Sequence, residues 1–217
     1  MLETKVLYKK LSISIGLICL FAILPIITKS PATFLRQVLI PKNGRILSAL
    51  FTPKDNIRRM IVELINKEET AIYLAVYYLT DPQIASALSN ASRRGVKVSI
   101  ITEASHIENC PATKIFSLQA TGIPIRIIQC PKKSGIMHHK FWVFEKNLNG
   151  RQLLVTGSYN PTERAQDGNY ENVVVADESG LVADYLKHYQ ELHAIAKPLR
   201  EFLFAERTNT NFAIPAI

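Results

Sequence analysis

The sequence predicts an α/β protein with a mixed, mostly parallel β-sheet flanked by helices on both faces and preceded by an N-terminal membrane-inserting helix. Between residues 55 and 130, apolar runs typical of buried strands alternate with amphipathic helical segments, which is the pattern of βαβ units. Further along, two apolar runs flank an Asn-Leu-Asn-Gly sequence that indicates a β-hairpin. Close to the N-terminus, residues 11–27 carry no charge.

Residues 11–27 form the candidate membrane segment. Lys5, Lys9 and Lys10 precede this uncharged run, and Lys29 follows it. The run is longer than a typical signal-peptide core and shorter than a full span of about 20 residues. A retained anchor, a cleaved signal peptide and a buried core helix therefore stay open, in this order of preference. Lysines on the N-terminal side favour an N-terminus in the cytoplasm, with the rest of the chain membrane-anchored or secreted outside it, in the periplasm of a bacterium.

The net charge of +8 is concentrated in the N-terminal arm. Residues 1–45 contain seven Lys or Arg and one acid, whereas the remaining 172 residues carry 19 basic and 17 acidic side chains. The charge therefore gives no reason to expect that the folded body binds nucleic acid. The hydrophobic fraction of 47% excludes a disordered chain. We expect a signal or anchor segment over residues 1–29, a basic linker over 30–45, one folded domain over 46–201 and a tail over 202–217.

The first half of the body alternates helices and strands. Residues 55–67 place apolar side chains at the i, i+3, i+4 and i+7 spacing of a helix with one buried face, opened by an acidic cap. Asp81 and Pro82 open the next helix, because Asp favours the N-cap and Pro the first turn, and Gly95 ends it. Strands are predicted over residues 71–79, 96–102 and 123–130, and a short helix over 113–120.

The second half changes to hairpin pairing. Residues 141–146 and 152–156 are predicted to pair around the turn at residues 147–150. A further strand is predicted over 172–176, and an amphipathic helix from Leu181 to about residue 196. No internal repeat is visible in the sequence, so a site with two-fold symmetry would need a second chain.

Four polar side chains meet at the open end of the predicted hairpin. Side chains alternate along a strand, so His138 and Lys140 share one face. Folding the hairpin about its turn pairs residues whose numbers sum to about 298, which sets His138 opposite Asn160 and Lys140 opposite Ser158. Lys140, Ser158 and Asn160 can donate hydrogen bonds to anionic oxygens, while His138 attacks or exchanges a proton. This set of residues indicates phosphate chemistry that requires neither a metal nor another cofactor.

The same residues carry a family resemblance. His138-His139-Lys140 followed by Glu145, and then the sequence Gly-Ser-Tyr-Asn at residues 157–160, resembles the HxK(x)4D…GSxN signature of the phospholipase D superfamily. Residues 51–56, 77–100 and 169–175 are also similar to the small bacterial Nuc-type endonucleases and the single-motif mitochondrial phospholipase D proteins. The resemblance covers about residues 46–196 and implies the phospholipase D fold. Glu145 replaces the family's aspartate, and strand alternation turns it away from His138, so we expect a structural role for it.

The resemblance implies hydrolysis of a phosphodiester through a phosphohistidine, in which one histidine attacks phosphorus and a second protonates the leaving oxygen. Because the chain has one motif, the resemblance implies a homodimer in which both copies of His138 share a site. Lys140, Asn160 and Ser158 would hold the phosphoryl oxygens. Glu171 falls where the family has a functional acid, which would accept a hydrogen bond from an imidazole nitrogen.

Other residues of the body carry weaker predictions. Cys110 and Cys130 flank a predicted helix and its return strand, whose outer ends meet at one sheet edge, so a disulfide is possible if the body is exported. Two unrelated thiols are the alternative. His139 is expected to pack rather than react, His106 to lie exposed in a loop, and Trp142 to be buried in the core.

Three functions stay open. A membrane-tethered phospholipase D is slightly favoured, because an anchor would hold the site near a phospholipid bilayer. A Nuc-like endonuclease would need basic groove residues for nucleic acid, for which Lys132 and Lys133, in the loop leading to His138, are the best candidates. A catalytically silent membrane adaptor is the third, and the intact set of site residues argues against it.

Overall fold

The computed structural model of the protein describes residues 31–39, 41, 44–131 and 135–209. Within them, one β-sheet of eight strands is surrounded by eight α-helices. The strands are β1 (Leu47–Phe51), β2 (Ala71–Val76), β3 (Lys97–Glu103), β4 (Ile125–Ile128), β5 (Lys140–Phe144), β6 (Leu153–Gly157), β7 (Asn172–Ala176) and β8 (Lys197–Pro198). The helices are α1 (Pro31–Val38), α2 (Ile57–Lys67), α3 (Pro82–Arg93), α4 (Ala104–Asn109), α5 (Ile115–Ala120), α6 (Glu163–Asp167), α7 (Ser179–Ile195) and α8 (Leu199–Asn209).

The sheet is mixed, with the strand order β1-β7-β6-β5-β2-β3-β4-β8. β2, β3 and β4 run parallel, as the βαβ pattern predicts, but the five other neighbouring pairs of the described sheet are antiparallel. The prediction of a mostly parallel sheet is therefore wrong. Helical crossovers join only β2, β3 and β4, whereas β5, β6 and β7 form an antiparallel meander, and β1 pairs at its far edge.

Helices cover both faces of the sheet, and the alternation along β5 shows the two layers. Trp142 and Phe144 pack with residues of α2, α3, α5 and α8, whereas Phe141 and Val143 pack with residues of α7. All four side chains are at most 1% exposed, so burial on both faces explains the continuous apolar run of this strand. The predicted core position of Trp142 is confirmed.

The observed N-cap agrees with the prediction for α3 but not for α2. The Asp81 carboxylate accepts hydrogen bonds from the backbone N–H groups of Gln83 and Ile84, which opens α3 as predicted. The cap of α2 is Asn56, whose side chain accepts from the Arg59 N–H, so the prediction of an acidic cap is wrong. The neighbouring Asp55 instead accepts from the backbone of β1.

Seven strand ends meet at one edge of the sheet, which we call the site edge. β2, β3 and β6 end there, and β5 and β7 begin there, because Val76 pairs with both Thr102 and Lys140 and Gly157 pairs with Val173. β1 and β4 end there as well, since their last residues pair with the first residue of β7 and the last residue of β3. The loops that follow β2 and β6 and those that precede β5 and β7 therefore come together. These loops contain the polar residues singled out in the sequence.

The predicted anchor lies wholly outside the described residues, and the predicted linker and tail lie partly outside them. The candidate membrane segment, residues 11–27, is not among them, and none of the described helices has the length and apolar composition needed to cross a membrane. α1 lies in the segment predicted as a linker, and its Leu35 side chain is buried against the core. α8 extends through residue 209, into the segment predicted as a tail.

A buried ion pair ties three helices together close to the site edge. Arg58 of α2 donates from Nε to the Asp81 carboxylate and from Nη2 to Asp167 of α6 at 2.9 Å. Asp81 is fully buried, and the pairing with the two carboxylates raises the pKa of Arg58 even though its partial burial acts in the opposite direction. The two acids therefore hold α2, α3 and α6 in one arrangement.

We expect Asp81→Asn to lower the free energy of unfolding by about 2–3 kcal/mol, because removing one member of a buried ion pair leaves its partner uncompensated. Asparagine still caps a helix well, so the loss reports the charge rather than the cap. Urea denaturation of the variant and of Asp184→Asn, an exposed position on α7, measures the difference. Equal denaturation midpoints for the two variants would contradict the assignment.

Candidate active site

His138 lies on the surface at the site edge, two residues before β5 begins. Its ring packs against the Tyr77 ring, with centroids 5.0 Å apart, which limits the orientations that the imidazole can adopt. Partial burial, and secondarily the nearby Lys140 ammonium, lowers the pKa of His138. This shift favours the neutral form of the imidazole, whose lone pair can attack an electrophile.

Lys140 is buried at the first position of β5, with 7% of its surface exposed. Its Nζ donates a hydrogen bond to the His138 carbonyl oxygen at 2.8 Å and lies 5.4 Å from the centroid of the Tyr77 ring. Desolvation lowers the pKa of Lys140 to about 8, and the Glu171 carboxylate opposes this shift. A partly desolvated ammonium next to an exposed imidazole is suited to bind an anionic oxygen.

The hairpin register differs by one residue from the predicted register. Phe141 pairs with Thr156 and Phe144 with Leu153, which places Lys140 level with Gly157 rather than with Ser158. Ser158 and Asn160 lie beyond the end of this ladder and are positioned by other contacts. The prediction that His138 faces Asn160 and Lys140 faces Ser158 across the hairpin is therefore wrong. A turn centred on residues 147–150 pairs residues whose numbers sum to 297, which is the observed register and differs by one from the predicted sum of about 298.

The end of β2 connects His138 with Asn160. The Asn160 side-chain oxygen accepts a hydrogen bond from the Tyr78 N–H at 3.2 Å, while the Tyr77 N–H donates to the His139 carbonyl at 3.0 Å. Asn160 thereby keeps its amide NH2 group as a donor for a ligand. Both tyrosines fall within the longer strand predicted over residues 71–79, so their backbone contacts with His139 and Asn160 were not predicted. Their position just before the Asp81 cap was the available signal that the strand ends.

Ser158 and Glu171 form a hydrogen-bonded pair at the junction of β6 and β7. The Ser158 hydroxyl donates to one Glu171 carboxylate oxygen at 2.5 Å and accepts from the Asn172 N–H at 3.1 Å. The other Glu171 oxygen accepts from the Asn169 amide at 2.9 Å. Glu171 is thus brought to the site edge as predicted, but its hydrogen bonds within the described chain go to these polar neighbours.

Gly157 allows the close approach of β6 and β7 at this junction. A Cβ atom on Gly157 would lie 2.2 Å from the Asn172 carbonyl oxygen, far closer than any side chain tolerates. Any larger residue would separate the strands where Ser158 meets Glu171. The lack of space for a Cβ atom therefore explains why the motif has glycine at position 157.

His139 points to the opposite face of the sheet and contacts α7. Its Nε2 lies 3.1 Å from Nε2 of His188, whose Nδ1 lies 3.3 Å from the Glu191 carboxylate. Burial, followed by the charge of His188, lowers the pKa of His139. His139 therefore joins the segment before β5 to α7, in line with its predicted packing role.

Two buried residues that sequence reasoning missed hold the flanking loops. His106 is fully buried in α4, accepts a hydrogen bond from the Leu79 N–H at 3.1 Å, and packs against the Tyr78 ring, so its predicted exposure is wrong. Burial lowers the pKa of His106 to about 4. Glu103 accepts from the Met137 N–H at 2.6 Å. No pattern in the sequence predicted these contacts. The helix α4, which contains His106, is too short to show a helical periodicity.

The remaining predicted residues are not joined to the site by the described contacts. Cys110 and Cys130 are free, partly buried thiols, so the possible disulfide is not formed. The helix α4, which the sequence analysis missed, precedes Cys110, and the two thiols have different neighbours: Cys110 lies near the Tyr78 hydroxyl and Cys130 near Glu103. Lys132 and Lys133 lie outside the described residues.

The mixed sheet, with an imidazole beside a buried ammonium at one edge, defines a class of phosphodiester-handling proteins, and comparison with known proteins identifies the family. Residues 61–193 match the family described as "Cardiolipin synthase, PLD-like domain". The chain therefore belongs to the phospholipase D superfamily and is a phosphodiesterase of the hydrolase class.

Individual relatives agree with this assignment. A phospholipase D of Rickettsia typhi is 33% identical over 160 residues, which cover 73% of this chain and 74% of the relative. A mitochondrial cardiolipin hydrolase of Xenopus laevis is 31% identical, covering 70% and 67%. The crystal structure of Nuc, a phospholipase D family member from Salmonella typhimurium, superposes with a TM-score of 0.60 at 26% identity, covering 70% of this chain and 96% of Nuc.

The low pKa of Lys140 predicts how anion binding depends on pH. Sulfate is a dianion at every pH tested, so its affinity should be constant from pH 7 to about 8 and fall about tenfold per unit above the Lys140 pKa of about 8, as the ammonium loses its proton. An ordinary lysine would show this fall more than two units higher. Isothermal titration calorimetry between pH 7 and 10 measures the affinity. Lys140→Met should bind sulfate weakly at every pH, and Lys187→Met, an exposed change on α7, should behave as the wild type. A fall that begins only near pH 10 would show that Lys140 is not the binding cation.

Proposed function

We propose that the protein is a metal-independent phosphodiesterase that forms a phosphohistidine on His138 and that it hydrolyses the headgroup phosphodiester of a phospholipid. The observation that supports this most is that the exposed His138 imidazole lies beside the buried ammonium of Lys140, which donates a hydrogen bond to the carbonyl oxygen of His138 itself. A nucleophile and an oxyanion-binding cation are thus held two residues apart on one strand.

The chemistry needs two steps. An imidazole nitrogen of His138 attacks phosphorus, and the bond to the leaving oxygen breaks as that oxygen takes a proton from a second, protonated imidazole. The second imidazole, now neutral, accepts a proton from water while the water oxygen attacks phosphorus. The phosphorus–nitrogen bond then breaks and its electron pair returns to His138. Lys140 and the Asn160 amide donate to the non-bridging oxygens, whose charge increases at each transition state.

The second imidazole is proposed to be His138 of a partner subunit across a two-fold axis. His138 is exposed at the site edge, so a second copy can approach it there. Near Glu171 at the same edge, Tyr170 is 91% exposed and Phe51 at the end of β1 is 53% exposed. Large apolar side chains with this exposure are typical of surfaces that a partner covers.

Phospholipid is favoured as substrate for two reasons. Residues 11–27 form a candidate membrane segment that would keep the site at a bilayer, and relatives similar to this chain in sequence are named phospholipase D and cardiolipin hydrolase. The second candidate function is endonuclease activity, which the structural likeness to Nuc supports. The adaptor hypothesis has less support, because burying the Lys140 ammonium costs desolvation free energy, and a protein that binds no anion would not recover this cost.

His138→Asn should reduce hydrolysis at least 10⁴-fold in excess EDTA, because it removes the nucleophile and the chemistry needs no metal. The full chain is offered phospholipid vesicles and single-stranded DNA in parallel, with headgroup release and strand cleavage as readouts. His193→Asn, a histidine of α7 outside the site, is the matched control and should retain wild-type activity. Strand cleavage without headgroup release, steeply weakened by salt, would replace the lipid assignment by the nuclease. Wild-type turnover of either substrate by His138→Asn would overturn the mechanism.

Mixing experiments test the shared site. If each site needs His138 from two chains, wild type and His138→Asn exchanged at equal concentrations should show about one quarter of the activity of the same total concentration of wild type, because about one quarter of the dimers are wild-type homodimers. A protein with independent sites would retain one half. Sedimentation equilibrium of the wild type provides the second readout, and full activity in a monomeric fraction would contradict the dimer.

A further inference from the structure

A cavity of about 710 Å³ opens beside His138, on the side of the sheet that α7 covers. It lies between the end of β4, the last turns of α7 and the segment that leads into β5. His138 and His139 both contribute to its wall, so the cavity is continuous with the catalytic group. Its lining residues are Ile128, Gln129, Cys130, Pro131, Ile136, Met137, His138, His139, Leu192 and Ile195.

The wall of the cavity is largely apolar. Five of its side chains are Ile, Leu or Met, and none of the described lining residues is Lys, Arg, Asp or Glu. The two imidazoles are its titratable groups besides the Cys130 thiol, and partial desolvation lowers the pKa of both, which favours their neutral forms. A nucleic-acid strand binds through cations that follow its phosphates and aromatic rings that stack on its bases, and these described residues supply neither.

Two large apolar side chains stand exposed at the rim. Ile195, at the end of α7, is 73% exposed, and Ile136, two residues before His138, is 46% exposed. Leu192 and Met137 continue the apolar surface inward and are 9% and 4% exposed. The surface therefore runs without interruption from solvent to the catalytic histidine, which is the form expected for a chain-like apolar ligand rather than for a structural defect.

We propose that this cavity binds the acyl region of a lipid phosphodiester while its phosphorus is held at His138. This proposal rests on the proposed function and adds where the apolar part of the substrate binds. In headgroup hydrolysis the lipid portion stays bonded to phosphorus, and hence to His138, through both steps. A subsite that adjoins His138 therefore holds the apolar part throughout the reaction, and the leaving headgroup departs on the other side.

Chain-length dependence tests this directly. The full chain, kept in solution by an amphipathic polymer, is given diacyl phosphatidylglycerols with four, six and eight carbons per chain below their critical micelle concentrations. We expect kcat/KM to rise about fourfold for each methylene that enters the cavity. Bis(p-nitrophenyl) phosphate, which has no acyl chain, reports the chemical step alone.

Surface variants locate the effect. Ile195→Asn and Ile136→Asn replace exposed side chains and should fold, and each should lower the ratio of kcat/KM for the eight-carbon lipid to that for bis(p-nitrophenyl) phosphate at least fivefold. Phe204→Asn on α8 is the matched control, since Phe204 is 72% exposed on a helix that does not line the cavity. It should leave the ratio unchanged. An equal fall in Phe204→Asn would assign the effect to the polymer and overturn the proposal.

The outcomes separate this proposal from the proposed function. Cleavage of bis(p-nitrophenyl) phosphate with rates on lipids that do not depend on chain length would overturn the cavity and keep the phosphodiesterase. Cleavage of single-stranded DNA that Ile195→Asn leaves unchanged, with no lipid turnover, would do the same. If no phosphodiester is cleaved, the proposed function has failed, and calorimetry with the eight-carbon lipid tests the cavity alone. Binding with a negative heat-capacity change that is lost in Ile195→Asn would support the cavity. Absence of binding would overturn the cavity as well.

Discussion

The buried Asp81 carboxylate is the constraint on which the site edge depends. One of its oxygens caps α3, the other accepts from Arg58 of α2, and its backbone N–H donates to the Pro161 carbonyl at 3.0 Å. The segment between β2 and α3 is therefore fixed at its far end, three residues after Tyr78. Since the backbone of this segment binds His139 and Asn160, the groups from the β5 and β6 ends are aligned through β2 and not through direct contact with each other.

The electrostatics of the site depend on where Glu171 directs its hydrogen bonds. A buried ammonium is most stable when a carboxylate pairs with it, and Glu171 is close enough to raise the pKa of Lys140. Its oxygens are nevertheless occupied by Ser158 and Asn169, and Lys140 donates to a neutral carbonyl instead. Because no carboxylate described here neutralises it directly, the ammonium keeps its attraction for an incoming phosphoryl group at some cost to the stability of the fold.

Sequence alone predicted which residues lie at the site edge better than it predicted their relative geometry. The strands and helices between Ile57 and Ile128, apart from α4, follow from local periodicity and caps, and the family motif contains His138, Lys140 and Asn160. The predicted hairpin register was wrong by one residue, although the turn at residues 147–150 is itself centred on the observed sum of 297. The number of antiparallel strand pairs was missed for a different reason, because local patterns do not show which strands become neighbours in the sheet.

The structure also supplies contacts that no local pattern contains. His106 and Glu103 accept hydrogen bonds from the backbone N–H groups of Leu79 and Met137, which lie 27 and 34 residues away in sequence, and backbone N–H groups carry no sequence signal. A buried titratable residue whose partner is backbone is indistinguishable in sequence from an exposed loop residue. This is why His106 was expected to be exposed.

The pleat of β5 separates the two halves of the proposed substrate. His138 and Lys140 lie on one side of the chain with Trp142 and Phe144, while His139 lies on the other with Phe141 and contacts α7. The phosphate-binding cation and the α7 layer that builds the apolar cavity are thus on opposite faces, and His138 stands where the two regions meet. A slip of one residue would move both aromatic side chains out of their layers, so the burial of Trp142 and Phe144 fixes the register. The same core packing that stabilises the sheet therefore decides which histidine lies beside Lys140 and which one contacts the helix.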